Sequence, residues 1–555
     1  MSRRSGIPGL LLAFALLAVS AIPALAKDRL VIGQSQFPDN FNPNINAMAA
    51  KTYILSMARR PITVYDQDWN LVCMLCTELP SLEKGTARLE KTADGKPGIA
   101  VTYTLRKDAR WGDGTPITTK DVLFSWEVGR HKLSGVSEAD VFRRVAKIDA
   151  ADDKTFTLHL NKRACNFADI TEFGLLPEHI ERKNFSDPVE YHRRSAYETD
   201  TTNRGLWNGP YRIAKVVPGS HVVLSRNTFW RGKKPRFIEI IVKTISNTSS
   251  MTASLLAGGV DYIAGEVGLT LDQAIEFEKR HGNRFRFVYK PALVYEHIDL
   301  NRKNPILTDR RVRRALLHAI DRKAISDQIF GGHQKVAHSN ISPLDKVYDK
   351  NTPKYAYDPD KARSLLAEAG WGTLRGGIRH NAANKRLRLQ IMTTAGNKTR
   401  ELIQQILQSN WKDVGVDVLV RNEPARVFFG DTVRRRKFPS LAMYAFLAAP
   451  RAVPRTQLHS SEIPNAANNW AGSNFPGFNN PEMDRAIEGA ETDCAPDRNQ
   501  AHWNRLQALY AEELPALPLY FRAEPHIMPK WLKGVRPTGH QYASTLWVED
   551  WYDGR

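Results

Sequence analysis

Residues 308–332 read TDRRVRRALLHAIDRKAISDQIFGG, and the period of this stretch decides how the chain around it is read. Val312, Leu316, Ala319, Ile320 and Lys323 recur at the three-and-four spacing of one helical face, while Arg310, Arg311, Arg313, Arg314 and Asp321 take the other. The spacing predicts one amphipathic helix. Thr308 or Asp309 can accept from the free amides of its first turn, and Gly331-Gly332 supply a left-handed exit. Just upstream, residues 294–300 (VYEHIDL) alternate, with Val294, Glu296, Ile298 and Leu300 on one face and Tyr295, His297 and Asp299 on the other. That is the period of a strand, so a strand feeds the helix.

Working outward, the same alternation of elements continues. Downstream, residues 358–370 (DPDKARSLLAEAG) repeat the plan of cap, helix and glycine. Segments 387–392, 400–413 and 416–420 form a strand, helix, strand unit that implies parallel pairing. Upstream, 29–33 is a short buried strand leading into the polar, turn-rich segment 34–43. Residues 101–105 form a strand, and 111–116 (WGDGTP) make a tight turn before a helix capped by residues 118–121, with Val122, Leu123 and Trp126 inward. Residues 145–160 hold a strand pair. Residues 211–217 and 221–225 form a hairpin about Pro218-Gly219.

At 555 residues the chain exceeds what one hydrophobic core serves, so two or more domains are expected, and 42% hydrophobic residues suffice to fill them. Arg3 and Arg4, the apolar run 7–22 and Ala24-Leu25-Ala26 have the layout of a cleavable secretory signal. The apolar run is too short for a membrane anchor. The mature protein is expected to begin at Lys27 and to be soluble and periplasmic. Its net charge of +20 falls to +18 when Arg3 and Arg4 leave. The densest basic run, 434–437, reads as a solvated turn, and no nucleic-acid module accompanies it, so no nucleic-acid partner is expected. Cys73, Cys76, Cys165 and Cys494 sit in an oxidising compartment, which predicts at least one disulfide. Three pairings are open. The C-x-x-C spacing of Cys73 and Cys76 reads as structural, because no paired ligands or thioredoxin-like unit surround it.

Three phrases carry a resemblance. Residues 111–127 (WGDGTPITTKDVLFSWE), the GPY…PG…R-N…W pattern through residues 208–230, and LN…P…D…RVR-x-AL…AIDR ending at Arg322 resemble signatures of the family 5 bacterial extracellular solute-binding proteins. The resemblance implies an α/β fold of the periplasmic-binding-protein type, with two lobes, a hinge and an additional inserted subdomain (cluster C type). Lobe I is expected at 27–61, 203–290 and 525–555, the inserted subdomain at 62–202, and lobe II at 291–524. The implied role is to capture a peptide or related small polar solute between closing lobes and deliver it to an ABC transporter permease. A monomer without cofactors is expected. Ligand contacts implied by the same resemblance are Gln36, Phe37 and Asn40 in lobe I, and Tyr295, His297, Tyr444, Phe446, Arg451, Asn469 and Trp470 in lobe II.

Catalysis finds little support. There is no G-x-S-x-G elbow, no H-E-x-x-H and no glycine-rich phosphate loop after a strand. An exported enzyme or redox protein on a similar scaffold is the alternative, with Cys73 and Cys76 as its only handle. In peptide-binding members a carboxylate pairs with the peptide's ammonium. The equivalent stretch here, residues 444–451 (YAFLAAPR), has alanines in the acidic positions, and no acidic residue occurs between Asp431 and Glu462. The expectation is therefore a ligand not anchored by an α-ammonium. Arg451 or Arg455 would suit a carboxylate or phosphate. The other possibility is a carboxylate supplied from elsewhere, such as Glu296 or Asp299.

Overall fold

The structure, a computed structural model, describes residues 27–45, 48–137, 139–265, 267–424, 427–467 and 472–555. The expected signal segment, 1–26, lies outside them. Ten strands make the path of the main sheet: β1 (Arg29–Gln34), β2 (Tyr211–Val217), β3 (His221–Arg226), β4 (Glu239–Thr244), β5 (Tyr262–Ile263), β6 (Phe285–Leu300), β7 (Arg388–Met392), β8 (Asp417–Val420), β9 (Leu441–Leu447) and β10 (Ala516–Pro529). Their order in space is β8-β7-β9-β6-β10-β5-β1-β4-β3-β2. Five helices matter for the site: α1 (Arg310–His318), α2 (Arg322–Phe330), α3 (Lys398–Asp413), α4 (Pro481–Thr492) and α5 (Pro496–Glu513).

β6 and β10 make the molecule two-lobed. At 16 and 14 residues they are long for strands, roughly 50 Å at about 3.3 Å per residue. They pair antiparallel on both sides of a register break between Pro291 and Tyr295. Before the break, Phe285 and Ile527 pack with Met251 and Leu255, and Met528 joins Leu30, Ile32, Tyr262 and Trp551. Past it, Ile298, Leu300, Leu517 and Leu519 join Val312, Leu316, Leu389 and Trp411 in a separate core. Two cores joined by two strands give two lobes with a hinge. In the second lobe β7 and β8 pair parallel, which requires a crossover. α3 supplies it, with Ile403, Leu407 and Trp411 fully buried.

A third core belongs to an inserted subdomain. Its antiparallel sheet has the strand order Ala87–Lys91, Pro97–Thr104, Thr155–Leu160, Val145–Ala150, around Val101, Tyr103, Phe156 and Leu158. The helix Thr119–Arg130 starts from a capping box of Thr118 and Asp121. Its Val122 enters this core, while Phe124 and Val128 enter the core of lobe I. The subdomain is thus packed onto lobe I as one body.

The single helix expected over 308–332 is two, α1 and α2. The carbonyl of His318, which would accept from Arg322 in a continuous helix, accepts instead from the Asp358 N–H at 2.8 Å. Asp321 then caps α2 by accepting from Ala324 N–H at 2.8 Å. Beyond the break the phase changes. Lys323, expected inward, is exposed and pairs with Asp327. Arg313, expected outward, is buried and donates to the carbonyls of Leu307, Thr308 and Glu513. Burial lowers its pKa to about 9.

Candidate functional site

Successive strand residues point to opposite sides of a sheet, and on β6 the two sides have different employment. Glu296 points toward α3, where Arg400 binds it together with Arg522 of β10. Tyr295, His297 and Asp299 line a cavity of about 440 Å³. β9 runs antiparallel beside them, with Phe446 opposite Tyr295 and Tyr444 opposite His297. The rings of Tyr295, His297 and Phe446 stack, with centroids 4.9 and 5.1 Å apart and planes within 5° and 10°. Asp299 is buried below them. It accepts from the Tyr444 hydroxyl and lies 3.3 Å from His297 Nε2. Burial, reinforced by the Asp299 carboxylate, pushes the Tyr444 pKa well up, so this hydroxyl remains a donor.

The rest of the wall comes from loops. Asp345 accepts from the N–H groups of Arg451 and Val347 at 2.8 and 3.3 Å. Burial nonetheless raises its pKa. Among the described residues the buried Asn340 Oδ1 has no hydrogen-bond partner, an acceptor available to a ligand donor. Gln541 reaches in from the C-terminal tail and donates to Glu172 at 2.9 Å. Apolar walls of Ile341, Ala448, Val453 and Leu458 complete a chamber of the size and makeup that hold small solutes.

A second cavity, of about 990 Å³, lies between the inserted subdomain and lobe II. Tyr65, Trp69, Arg144 and Arg163 line it on one side, Arg451 and Trp503 on the other. Ala452 and Val453 line both cavities, so the two are contiguous. At its margin the disulfide Cys165–Cys494 joins the loop after the inserted sheet to the α4–α5 connection, with Cα atoms 5.0 Å apart. Cys165 N–H also donates to the Glu491 carbonyl at 2.8 Å. The cleft is therefore crossed by a covalent bond. Cys73 and Cys76 form the other disulfide, and none of the four cysteines is free.

Of the residues singled out from sequence, Tyr295, His297 and Phe446 line the inner cavity and Arg451 the outer one. Tyr444 stands one layer back, holding Asp299. Gln36, Phe37 and Asn40 line neither. The Phe37 ring meets Phe41 edge-on at 6.4 Å and packs on the core of lobe I, the Asn40 side chain is engaged by Asp39 and Lys51, and Gln36 is exposed. Asn469 and Trp470 lie outside the described residues. Arg455 is bound to both oxygens of Glu491, at 2.7 and 2.8 Å. Sequence reasoning missed Asn340, Asp345, Arg163 and Gln541. They sit in irregular segments, where no periodicity marks an inward face.

The profile of the bacterial extracellular solute-binding proteins, family 5, matches residues 88–463. The oligopeptide-binding protein AppA of Bacillus subtilis is 25% identical over 533 residues, covering 94% of this chain and 91% of its own. The periplasmic murein peptide-binding protein MppA of Escherichia coli is 22% identical, covering 84% and 88%. Among solved structures, the oligopeptide-binding protein of Thermus thermophilus in complex with a pentapeptide is 29% identical with a TM-score of 0.73, covering 95% of this chain and 96% of that one. Sequence profile, chain-long similarity and two-lobed fold agree: the chain belongs to family 5 of the bacterial extracellular solute-binding proteins, the substrate-binding components of ABC importers.

Proposed function

We propose that the protein is a periplasmic receptor that captures a peptide or a related small polar solute in the inner cavity and delivers it to an inner-membrane permease. The observation that carries this reading is the chamber on β6 and β9, walled by lobe II and reached by Gln541 from the tail. The peptide class follows the relatives, two of which are named for oligopeptides. Lobe boundaries at Lys290/Pro291 and Glu524/Pro525 are supported by the register break at Pro291. Contacts made by both lobes exist only when the cleft is closed, and a ligand shifts that balance by its differential affinity. The protein acts as a monomer without catalytic residues, and its Cys73–Cys76 pair is structural. Thiol titration of the native protein checks the last point: reactive thiols at Cys73 and Cys76 would favour the redox alternative.

Export by cleavage after Ala26 would make Lys27 the first residue of the mature protein. Lys27 N–H donates to Asp553 at 2.9 Å, and cleavage would turn this nitrogen into an ammonium beside a carboxylate. Among the described residues no helix is long and apolar enough to cross a membrane. Edman sequencing of the secreted protein should begin Lys-Asp-Arg.

The ligand is not anchored by an α-ammonium. Both carboxylates lining the inner cavity are already engaged, Asp299 by Tyr444 and His297, Asp345 by two backbone amides. Native mass spectrometry of the purified protein should reveal a bound solute. Calorimetry with tripeptides and their N-acetylated forms should give affinities within a few-fold. Tight binding abolished by acetylation refutes the anchoring argument, since an unpaired buried ammonium costs several kcal/mol.

A further inference from the structure

The outer cavity holds more positive charge than its own carboxylates answer. Among the described residues Arg163 Nε is buried without a partner, and so is Arg144 Nε, and the Arg144 guanidinium donates to the backbone carbonyl of Asp169. Arg451, an exposed residue, lines the cavity from lobe II, where its charge is felt by Asp345 and Tyr65. Of the four acids that line this cavity, Asp140 lies 3.9 Å from Arg143 and the other three are engaged elsewhere. Glu491 is held by Arg455, Glu172 by Gln541, and Asp169 by the Thr171 N–H and hydroxyl at 3.1 and 2.8 Å. Buried guanidinium nitrogens are ordinarily paired, so the missing partner is an acceptor.

The backbone of Arg451 points the same way. Its φ of 57° is left-handed, a conformation disfavoured for a side chain of this size. It is held there by the hydrogen bond from its N–H to Asp345. Strained positions kept in place by their surroundings cluster where ligands are clamped. Here the strain fixes where the guanidinium leaves the chain, on the wall of the outer cavity.

We propose that the outer cavity is an anion subsite that receives the carboxylate-bearing end of the transported solute while its apolar part fills the inner cavity. The inference rests on the reading of the protein as a solute receptor and narrows the solute to one carrying two or more carboxylates. A space of about 990 Å³ is far larger than one small anion needs, and three guanidiniums on separate segments suit several carboxylates better than one phosphate. The planar fork of arginine matches a carboxylate edge with two parallel hydrogen bonds. Because Arg144 and Arg163 lie on the inserted subdomain and Arg451 on lobe II, one anion array bound by all three favours the closed cleft.

The test uses citrate as the probe. Mature, disulfide-intact protein is dialysed through mild denaturant to remove any carried solute and titrated calorimetrically at low ionic strength. The wild type should bind citrate, more tightly than inorganic phosphate, and added salt should weaken binding. The double variant R163Q/R451Q, which removes two side chains that donate no hydrogen bond among the described residues, should bind citrate at least about tenfold more weakly, with each single variant intermediate. Arg144→Gln gives a second measure should the double variant unfold. Absence of citrate binding in the wild type, citrate binding unchanged in the variants, or phosphate binding tighter than citrate overturns the proposal. The receptor reading is tested separately: a protein that binds citrate through these arginines but no peptide keeps the subsite and loses only the peptide assignment.

Discussion

Replacing Glu296 by glutamine should be the most damaging conservative change in lobe II. The carboxylate is fully buried and accepts four hydrogen bonds, from Arg400 Nε and Nη2 at 2.7 and 3.3 Å and from Arg522 Nε and Nη2 at 3.0 and 2.5 Å. Burial alone would raise its pKa, but Arg522 and Arg400 outweigh it and hold the carboxyl below the ordinary glutamate range. Loss of the charge strands two cations of unequal exposure. The Arg522 side chain is 37% exposed and can be rehydrated, whereas Arg400 is 10% exposed and cannot. The cost is therefore that of one uncompensated buried charge, about 3–5 kcal/mol, less about 1 kcal/mol for the hydrogen bond that the amide oxygen retains. Glu296→Gln should lose about 3 kcal/mol in urea unfolding at neutral pH. The double variant E296Q/R400Q should recover at least about half of that loss, because the stranded cation is gone. As the folded pKa is depressed, this contribution is complete above the unfolded value of about 4.3 and disappears as pH falls through the folded one. A loss under about 1 kcal/mol, or a double variant worse than the single, would refute the reasoning.

Breaking Cys165–Cys494 in a Cys73→Ser/Cys76→Ser background should cost about 5–6 kcal/mol, because it releases a loop closed by a bond between residues 329 apart. The same variant should raise the radius of gyration in small-angle scattering; an unchanged melting temperature and radius would argue against a cleft-spanning tie. His338 is half-buried with its pKa lowered to about 4, so the unfolded chain takes up its proton first and stability should fall between about pH 6.5 and 4. His338→Asn should flatten that slope in calorimetric scans. Arg313→Met should destabilise by about 3 kcal/mol in the same scans, because three carbonyls and Glu513 lose their donor.

The strand–helix–strand unit of β7, α3 and β8 was legible because its periodicities are long and its ends are marked. So was the face of β6 that carries Tyr295, His297 and Asp299, since alternation alone separates it from Glu296. The break between α1 and α2 was not legible. It depends on the Asp358 N–H arriving at the His318 carbonyl, a long-range contact without local trace, and everything assigned by helical phase beyond it shifted. The cavity loops failed for a related reason. Asp345 and Asn340 matter because of what they face, and of the polar loop after the first strand Phe37 packs on lobe I, Asn40 is held by Asp39 and Lys51, and Gln36 is exposed. The cysteine pairing needed the fold, for residues 165 and 494 meet only when the inserted subdomain sits against lobe II.

That meeting has a mechanical side. The two ends of the described chain lie together, Lys27 on Asp553, so tension applied to them begins by shearing lobe I. In the oxidised protein the load then reaches the sulfur–sulfur bond, which short-circuits the segment between the two half-cystines. Only 27–165 and 494–555 can be drawn out, roughly 200 residues or about 700 Å at full extension, against roughly 1,800 Å for the reduced chain. β6 to β9 and α1 to α4 all lie inside the ring. Stretched in an oxidising medium, the inner floor of the cleft carries no tension, and only α5 and β10 can be peeled away from it.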